Sequence, residues 1–335
     1  MNISEKKIDA LNSELTLVIA AEDYAAPLEG KLKGLKKKAE FKGFRKGMAP
    51  MSLIKKVYGG QAMAEVINGI IGEQLDAFIR DNKLNILGEP IQSANQPELD
   101  WEEGKDFTFV FDLGLSPEVN VEVSADDSIP VYKITPDAKM KENLMKSYKE
   151  FYAKQAEEGK GEARSDEDIE KEIDARLSQD AESQSAWRLT HDLKDYFVKK
   201  AGVELPEAFL KRWLLQSGGD KYTEEEVEKQ FPSFIEDFKW QLVRGSLMRK
   251  FDFKIEEADL RTEAENYVRY QYAMYGMADV PADLLKDAVN NMMQDRNQLS
   301  RIIEQAEDSK VLDKIKQTVT LKNKKISSEK FRELK

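Results

Sequence analysis

The chain has 335 residues, 41% of them apolar and 34% charged, with a formal net charge of −11. That length suits two or three domains. The absence of cysteine excludes disulfides and thiolate metal sites, and the single histidine, His191, excludes a His-cluster metal site, so no metal or other cofactor is expected.

Residues 6–20 alternate weakly, as one or two strands do. The apolar run at 15–21 lies among Asp9, Glu14 and Glu22 and reads as a half-buried strand, not a leader. No stretch nears the roughly 20 apolar residues of a membrane span. A cytoplasmic protein without a membrane partner is the expectation.

Asp23 suits a helix cap with Pro27 tolerated in the first turn, and Leu28, Leu32 and Leu35 then form one apolar stripe. Residues 31–60 hold ten bases and one acid, a net +9 against −20 for the other 305 residues. The bases are Lys31, Lys33, Lys36, Lys37, Lys38, Lys42, Arg45, Lys46, Lys55 and Lys56; the acid is Glu40. A basic island on an acidic chain addresses a polyanion or an acidic partner. Its centre is the run GFRKGMAP at 43–50. Pro50 suits the entry of the next helix. A longer helix is expected over about 60–80, burying Val66, Ile67, Ile70, Ile71, Leu75, Phe78 and Ile79. Two strands follow, the second placing Phe107, Phe109, Phe111 and Leu113 on one face.

Residues 114–135 read as an extended connector. Asp137 caps a helix to about 158, with Met140, Leu144, Tyr148 and Phe151 or Tyr152 on one face. The polar run at 157–168 breaks the pattern, and a helix from Ser165 to about 200 repeats Ile169, Ile173 and Leu177. Gly202 suits its stop. Pro206 begins a short helix through Leu215. Thr223 with Glu226 forms a capping box, and Pro232 restarts a helix to about 250. Further helices fall near 256–275, 281–294 and 297–318. The tail at 319–331 has room for a short strand pair. The fold class is α+β: an N-terminal α+β domain (1–113), an extended linker (114–136) and an elongated, mostly helical C-terminal domain (137–335).

Within 43–50, Gly43 and Gly47 permit a tight exposed loop. Phe44 has no neighbouring apolar periodicity to join, which suits an anchor for a pocket on a partner. Arg45 supplies a forked donor and Lys46 a point charge. Read alone, the loop fits better a charged helix–helix turn whose Phe44 folds back on its own domain. Elsewhere, DEDIEKEID is a solvated helix face without EF-hand spacing. GGQAMAEVINGIIG lacks the Lys-Ser/Thr of a phosphate loop and reads as a helix start. There is no nucleophile elbow. No enzymatic activity is expected.

GFRKGMAP followed by LIKKVYG resembles the signature loop of bacterial trigger factor, a ribosome-associated chaperone family; the pattern GFRxGxxP is matched at Gly43, Phe44, Arg45, Gly47 and Pro50. The NILGEP turn (85–90), GVELPEAFLKRWLL (202–215), FPSFIEDFKWQLVRGSL (231–247) and VPADLLKDAVNNM (280–292) extend the resemblance, which is closest to the Bacteroides group. It implies an ATP-independent chaperone. Phe44, Arg45 and Lys46 would dock on the ribosomal protein and RNA beside the exit tunnel, within a loop framed by Gly43, Gly47 and Pro50. Lys36, Lys37, Lys38 and Lys42 would add a salt-dependent attraction to phosphate. Met48 stands where such loops often carry a base.

The resemblance implies a helical cradle with arms from 137–158 and 165–200 that holds nascent or unfolded polypeptides. Tyr270, Met274, Tyr275, Met277, Met292 and Met293 are the client-binding candidates, since methionine adapts to many sequences, although each alone also fits a core position. Trp187, Trp213 and Trp240 read as core and Trp101 as packing. Members of the family normally insert an FKBP-like prolyl isomerase domain after the connector, and here no room is left for it near 155–165. Self-association as a homodimer is a further expectation, from an exposed apolar cradle. The alternative reading is a general RNA-binding protein using the basic 31–60 helix and loop.

Overall fold

The computed structural model describes residues 1–159, 164–219, 222–277 and 279–334. Part of the polar run at 157–168 therefore lies outside the described residues. Contacts divide the chain into two compact units, 1–118 with 204–236 and 119–203 with 237–335.

In the first unit, β1 (Asn2–Lys7) and β2 (Asn12–Ile19) form an antiparallel hairpin, and the sheet continues in the order β1-β2-β4-β3, with β3 (Ile86–Gln92) and β4 (Phe107–Leu115). Leu15, Leu17 and Ile19 alternate inward along β2, as period 2 requires. Helices α1 (Ala21–Lys38) and α2 (Met51–Asp81) cover one face. Tyr24, Leu28, Leu32, Ile54, Met63 and Ile67 meet Phe107 and Phe109 there.

Two local expectations change. The α1 N-cap is Ala20, whose N–H donates to Asp23 Oδ2 at 2.9 Å, so Asp23 sits at the third helical position and Pro27 in the second turn. The second helix starts at Met51, not near 60, and carries Gly59 and Gly60 inside it. Each glycine costs about 1 kcal/mol against alanine; complete burial of Ile54 upstream offsets this.

The opposite face of the sheet takes α5 (Glu207–Gly218), which extends past Leu215. Leu113 packs with Leu75 toward α2, so the next residue, Gly114, faces the other way. A Cβ on Gly114 would lie 2.5 Å from Phe209 Cδ1, and one on Gly88 would lie 2.6 Å from Trp213 Cε2. Arg212 adds an ion pair to Asp112 at 2.7 Å. These contacts group 204–236 with the N-terminal residues, so 137–335 is not one compact unit. The next helix, α6 (Glu224–Lys250), begins with the expected Thr223–Glu226 box, Thr223 N donating to Glu226 Oε2 and Glu226 N to Thr223 Oγ1. Pro232 does not restart it but lies within it.

In the second unit the connector ends in β5 (Ser128–Thr135). Then come α3 (Ala138–Glu157), capped by Asp137, and α4 (Asp166–Ala201), capped by Ser165 and stopped by Gly202 in the left-handed region. Ile169, Ile173 and Leu177 of α4 pack with Leu144, Met145, Tyr148 and Tyr152 of α3. Helices α7 (Glu257–Met274), α8 (Ala282–Gln294) and α9 (Arg296–Thr318) share a core of Ala264, Val268, Leu285, Val289, Met292 and Ile302. The tail forms one strand, β6 (Thr320–Ser327), and a short helix, α10 (Ser328–Arg332). It is not a strand pair: β6 pairs in parallel with β5, Ser128 opposite Thr320. Asp127 closes the entry to this pairing. Its backbone carbonyl accepts from Thr320 N at 2.8 Å, and its buried carboxylate accepts from Lys200 Nζ at 2.6 Å, Tyr196 OH at 2.8 Å and Ser124 N at 2.9 Å.

The tryptophans divide. Trp240 is buried and donates to Asp308 at 2.7 Å, and Trp213 lies against Gly88. Trp187, expected in the core, is 66% exposed, with its ring 5.8 Å from His191. The buried stripe of this part of α4 runs through Leu193 and Phe197, and Trp187 falls outside it. Trp101 stands 5.2 Å from Phe107 while keeping one side in water.

Candidate functional site

The loop between α1 and α2 is held at both stems. Ala39 and Ala49 are buried, and Ala39 N donates to Leu35 O to close α1. Between them run two consecutive turns. Phe44 N donates to Phe41 O at 3.0 Å and Met48 N to Arg45 O at 2.9 Å. Each turn has glycine at its third position, Gly43 with φ +93° and Gly47 with φ +77°, where a type II turn requires φ > 0.

The two phenylalanines of the loop have opposite fates. Phe41 packs on the core with its ring 6.1 Å from Tyr58. Phe44, between the turns, is 44% exposed, so it does not fold back onto its own domain. Phe41 thus pins the loop that presents Phe44, a role the sequence reading missed; its place just after the helix stem was the available signal. Arg45, Lys46 and Met48 are exposed beside it, and Pro50 caps α2.

The cations of the island differ in pairing. Lys31 pairs with Glu65, Lys33 with Glu29 and Lys55 with Glu103. The hydrogen bond from Lys31 holds the Glu65 carboxyl below its ordinary range, with Gln61 adding to it. Lys46 pairs with Glu40 at 2.8 Å, both well exposed, a contact worth under about 1 kcal/mol. Among the described residues, Lys36, Lys37, Lys38, Lys42 and Arg45 form no ion pair. The positive charge nearest Phe44 is therefore available to a partner.

A second exposed surface lies at the end of α7. The helix buries Ala264 and Val268. Tyr267, Tyr270 and Met274 stand on the outside at i, i+3, i+7. It ends in a Schellman arrangement: Gly276, at φ +81°, donates to Ala273 O and Met277 N donates to Tyr272 O. That stop leaves Tyr275 81% exposed, with Met277 exposed beside it. Met292 and Met293 do not belong to this surface. Met292 is 9% exposed in the α7–α9 core and Met293 packs against it. The signal was present in the sequence, since Leu285, Val289 and Met292 form one stripe at i, i+4, i+7.

Comparison with known proteins agrees with this architecture. A family model described as bacterial trigger factor protein (TF) matches residues 1–148, and one described as probable trigger factor, C-terminal domain, matches residues 185–335. The trigger factor of Azospirillum brasilense is 29% identical over 119 residues, 36% of this chain and 26% of that protein. That of Glaesserella parasuis serovar 5 is 29% identical over 181 residues, 52% of this chain and 40% of that protein. The matched region thus spans well under half the length of these relatives. A solved structure of the trigger factor chaperone, from work on its promiscuous substrate recognition in folding and assembly activities, has the same fold, with a TM-score of 0.55 at 13% identity over 95% of this chain and 99% of that one. Two models of one family thus account for all but residues 149–184, and the chain belongs to the trigger factor family.

Proposed function

We propose that this chain is a ribosome-associated, ATP-independent chaperone of the cytoplasm that docks at the exit tunnel and holds apolar segments of nascent or unfolded polypeptides. The observation that carries the docking half is the loop at 43–50, where two glycine turns present Phe44 and Arg45 outward while Phe41 pins the base. An exposed aromatic beside a forked cation suits a pocket on a ribosomal protein with RNA phosphate nearby. Lys36, Lys37, Lys38 and Lys42 supply the less selective, salt-dependent attraction. Phe44, Arg45 and Lys46 choose the place, and Gly43, Gly47 and Pro50 shape the loop.

The holding half rests on Tyr270, Met274, Tyr275 and Met277, adaptable side chains left in water at the end of α7. Residues 1–113 act as the docking domain, 114–136 as linker and 137–335 as chaperone region, with α3 and α4 as an arm. No prolyl isomerase domain is inserted near 155–165; the helices on either side of this stretch, α3 and α4, which pack on each other, support this. The Bacteroides group, where the wording of the motifs fits best, is the inferred origin. No cofactor is required, and a homodimer off the ribosome follows from the exposed tyrosines and methionines.

The test is a titration of the chain, labelled at position 48 through Met48→Cys, with vacant ribosomes at physiological salt. Saturable binding at one site per ribosome is expected. Binding that total free RNA competes away at equal phosphate concentration refutes the reading in favour of a general RNA binder.

A further inference from the structure

The β5–β6 ribbon is an unusual construction. Parallel strands are usually buried on both faces, and a two-stranded sheet is marginal alone. Here β5 is partly buried and leans on α4, whose Ser185 Oγ donates to Tyr132 O at 2.6 Å. β6 is different: seven of its eight residues are exposed, and the two-stranded sheet ends on it. The row of backbone groups along its outer edge has no strand partner among the described residues.

Edge strands are ordinarily protected by shortness, proline, a bulge or charge. β6 is eight residues long, contains no proline, and pairs with β5 in unbroken register from Thr320 to Ser327. Among the described residues, its protection is charge of one sign. Lys322, Lys324 and Lys325 are exposed, and none forms an ion pair among the described residues. Residues 320–332 carry five bases and one acid on a chain of net charge −11. Lysines of one sign repel a second copy of the same strand, because like charges would stand opposite each other. They do not repel an acidic strand.

We infer that the outer edge of β6 is a docking site for an extended acidic polypeptide segment, added as a third strand. Main-chain hydrogen bonds hold the segment and Lys322, Lys324 and Lys325 select its charge. RNA is the poorer fit, since the strand offers no exposed aromatic for a base to stack on. The Tyr132 ring, 5.8 Å from Lys324 Nζ, is buried. The site uses neither the 43–50 loop nor the α7 tyrosines, so it stands or falls independently of ribosome docking.

The experiment uses the full chain and labelled octapeptides of alternating Val and Thr bearing either three Glu or three Lys, read by fluorescence anisotropy and by hydrogen exchange of β6. The acidic peptide is expected to bind roughly tenfold tighter than the basic one, as three rim charge pairs allow, and to slow exchange in 320–327. Lys322→Glu/Lys324→Glu/Lys325→Glu is expected to reverse the preference. N-methylation of alternate residues in the acidic peptide keeps its charge, blocks strand pairing, and is expected to abolish binding. Three results would overturn the proposal: equal affinity for both peptides, undiminished binding of the N-methylated peptide, or an oligouridylate binding the same edge more tightly than the acidic peptide. The lysines would then be guards of the edge only.

Discussion

Gly114→Ala tests how α5 is seated on the sheet. Gly114 is extended in β4, so alanine meets no backbone penalty there, and the smaller entropy of the unfolded chain favours it by about 0.4–1 kcal/mol. Against this, the new Cβ falls 2.5 Å from Phe209 Cδ1 and 2.7 Å from Cε1. Phe209 is buried on a helix and cannot swing into water. Overpacking of this kind costs about 1–3 kcal/mol, so a net loss of about 1–2 kcal/mol is expected. Urea unfolding followed by tryptophan fluorescence measures it. Phe209→Leu trims the ring at a cost of its own, and in that background Gly114→Ala should be neutral or mildly stabilising. The coupling between the two sites is then about 1 kcal/mol or more. An equal cost in both backgrounds, or stabilisation of the unmodified chain, refutes the packing of α5 against this face.

The remaining predictions concern the loop, the ribbon and the methionines. Gly43→Ala meets open space but must hold φ +93°, at a cost of about 1–2 kcal/mol; ribosome affinity and the urea midpoint should both fall, and unchanged affinity would deny the turn a role. At Asp127 burial pushes the carboxyl up, but Lys200, the Ser124 N–H and Tyr196 together pull harder and hold it below its ordinary value. A lowered carboxyl stabilises the fold above its unfolded value, near 3.8, and loses that contribution as pH falls through the lower folded value. Acid unfolding of the β5–β6 ribbon should therefore set in below about pH 4, and Asp127→Asn should flatten that limb at a cost of about 1–3 kcal/mol at neutral pH. Met292→Ala should cost about 2–5 kcal/mol as a cavity in the α7–α9 core. Met274→Ala and Tyr275→Ala should stay within about 0.5 kcal/mol in stability yet weaken suppression of client aggregation; the reverse pattern would return Met292 to the client surface.

What was legible in the sequence was local and periodic. Leu28, Leu32 and Leu35, Ile169, Ile173 and Leu177, and the phenylalanines of β4 each declare a face through spacing alone, and each packs on that face. What escaped depends on distant partners. The partner of β6 lies nearly two hundred residues earlier, at Ser128, and no local pattern names it. Pro232 has a proline's ordinary meaning as a helix break, yet the helix continues around it because Val227, Phe231, Ile235 and Trp240 are buried on both sides of the break point. Trp187 shows the limit of composition: tryptophan is usually buried, but position on α4 decides, and its position faces water. The loop at 43–50 was legible because its meaning is local, two glycines at turn positions with an aromatic and a cation between them. Its presentation was not, since that depends on Phe41 reaching Tyr58 on the next helix.

The central claim is that Phe44, Arg45 and Lys46 choose the docking place while the lysines around them supply general attraction. Co-sedimentation with ribosomes at physiological salt, comparing the unmodified chain with Phe44→Ala/Arg45→Ala/Lys46→Ala and with Lys36→Ala/Lys37→Ala/Lys38→Ala, separates the two roles. The loop variant should lose binding at every salt concentration. The lysine variant should bind more weakly with a shallower salt dependence. Undiminished co-sedimentation of the loop variant would contradict the account.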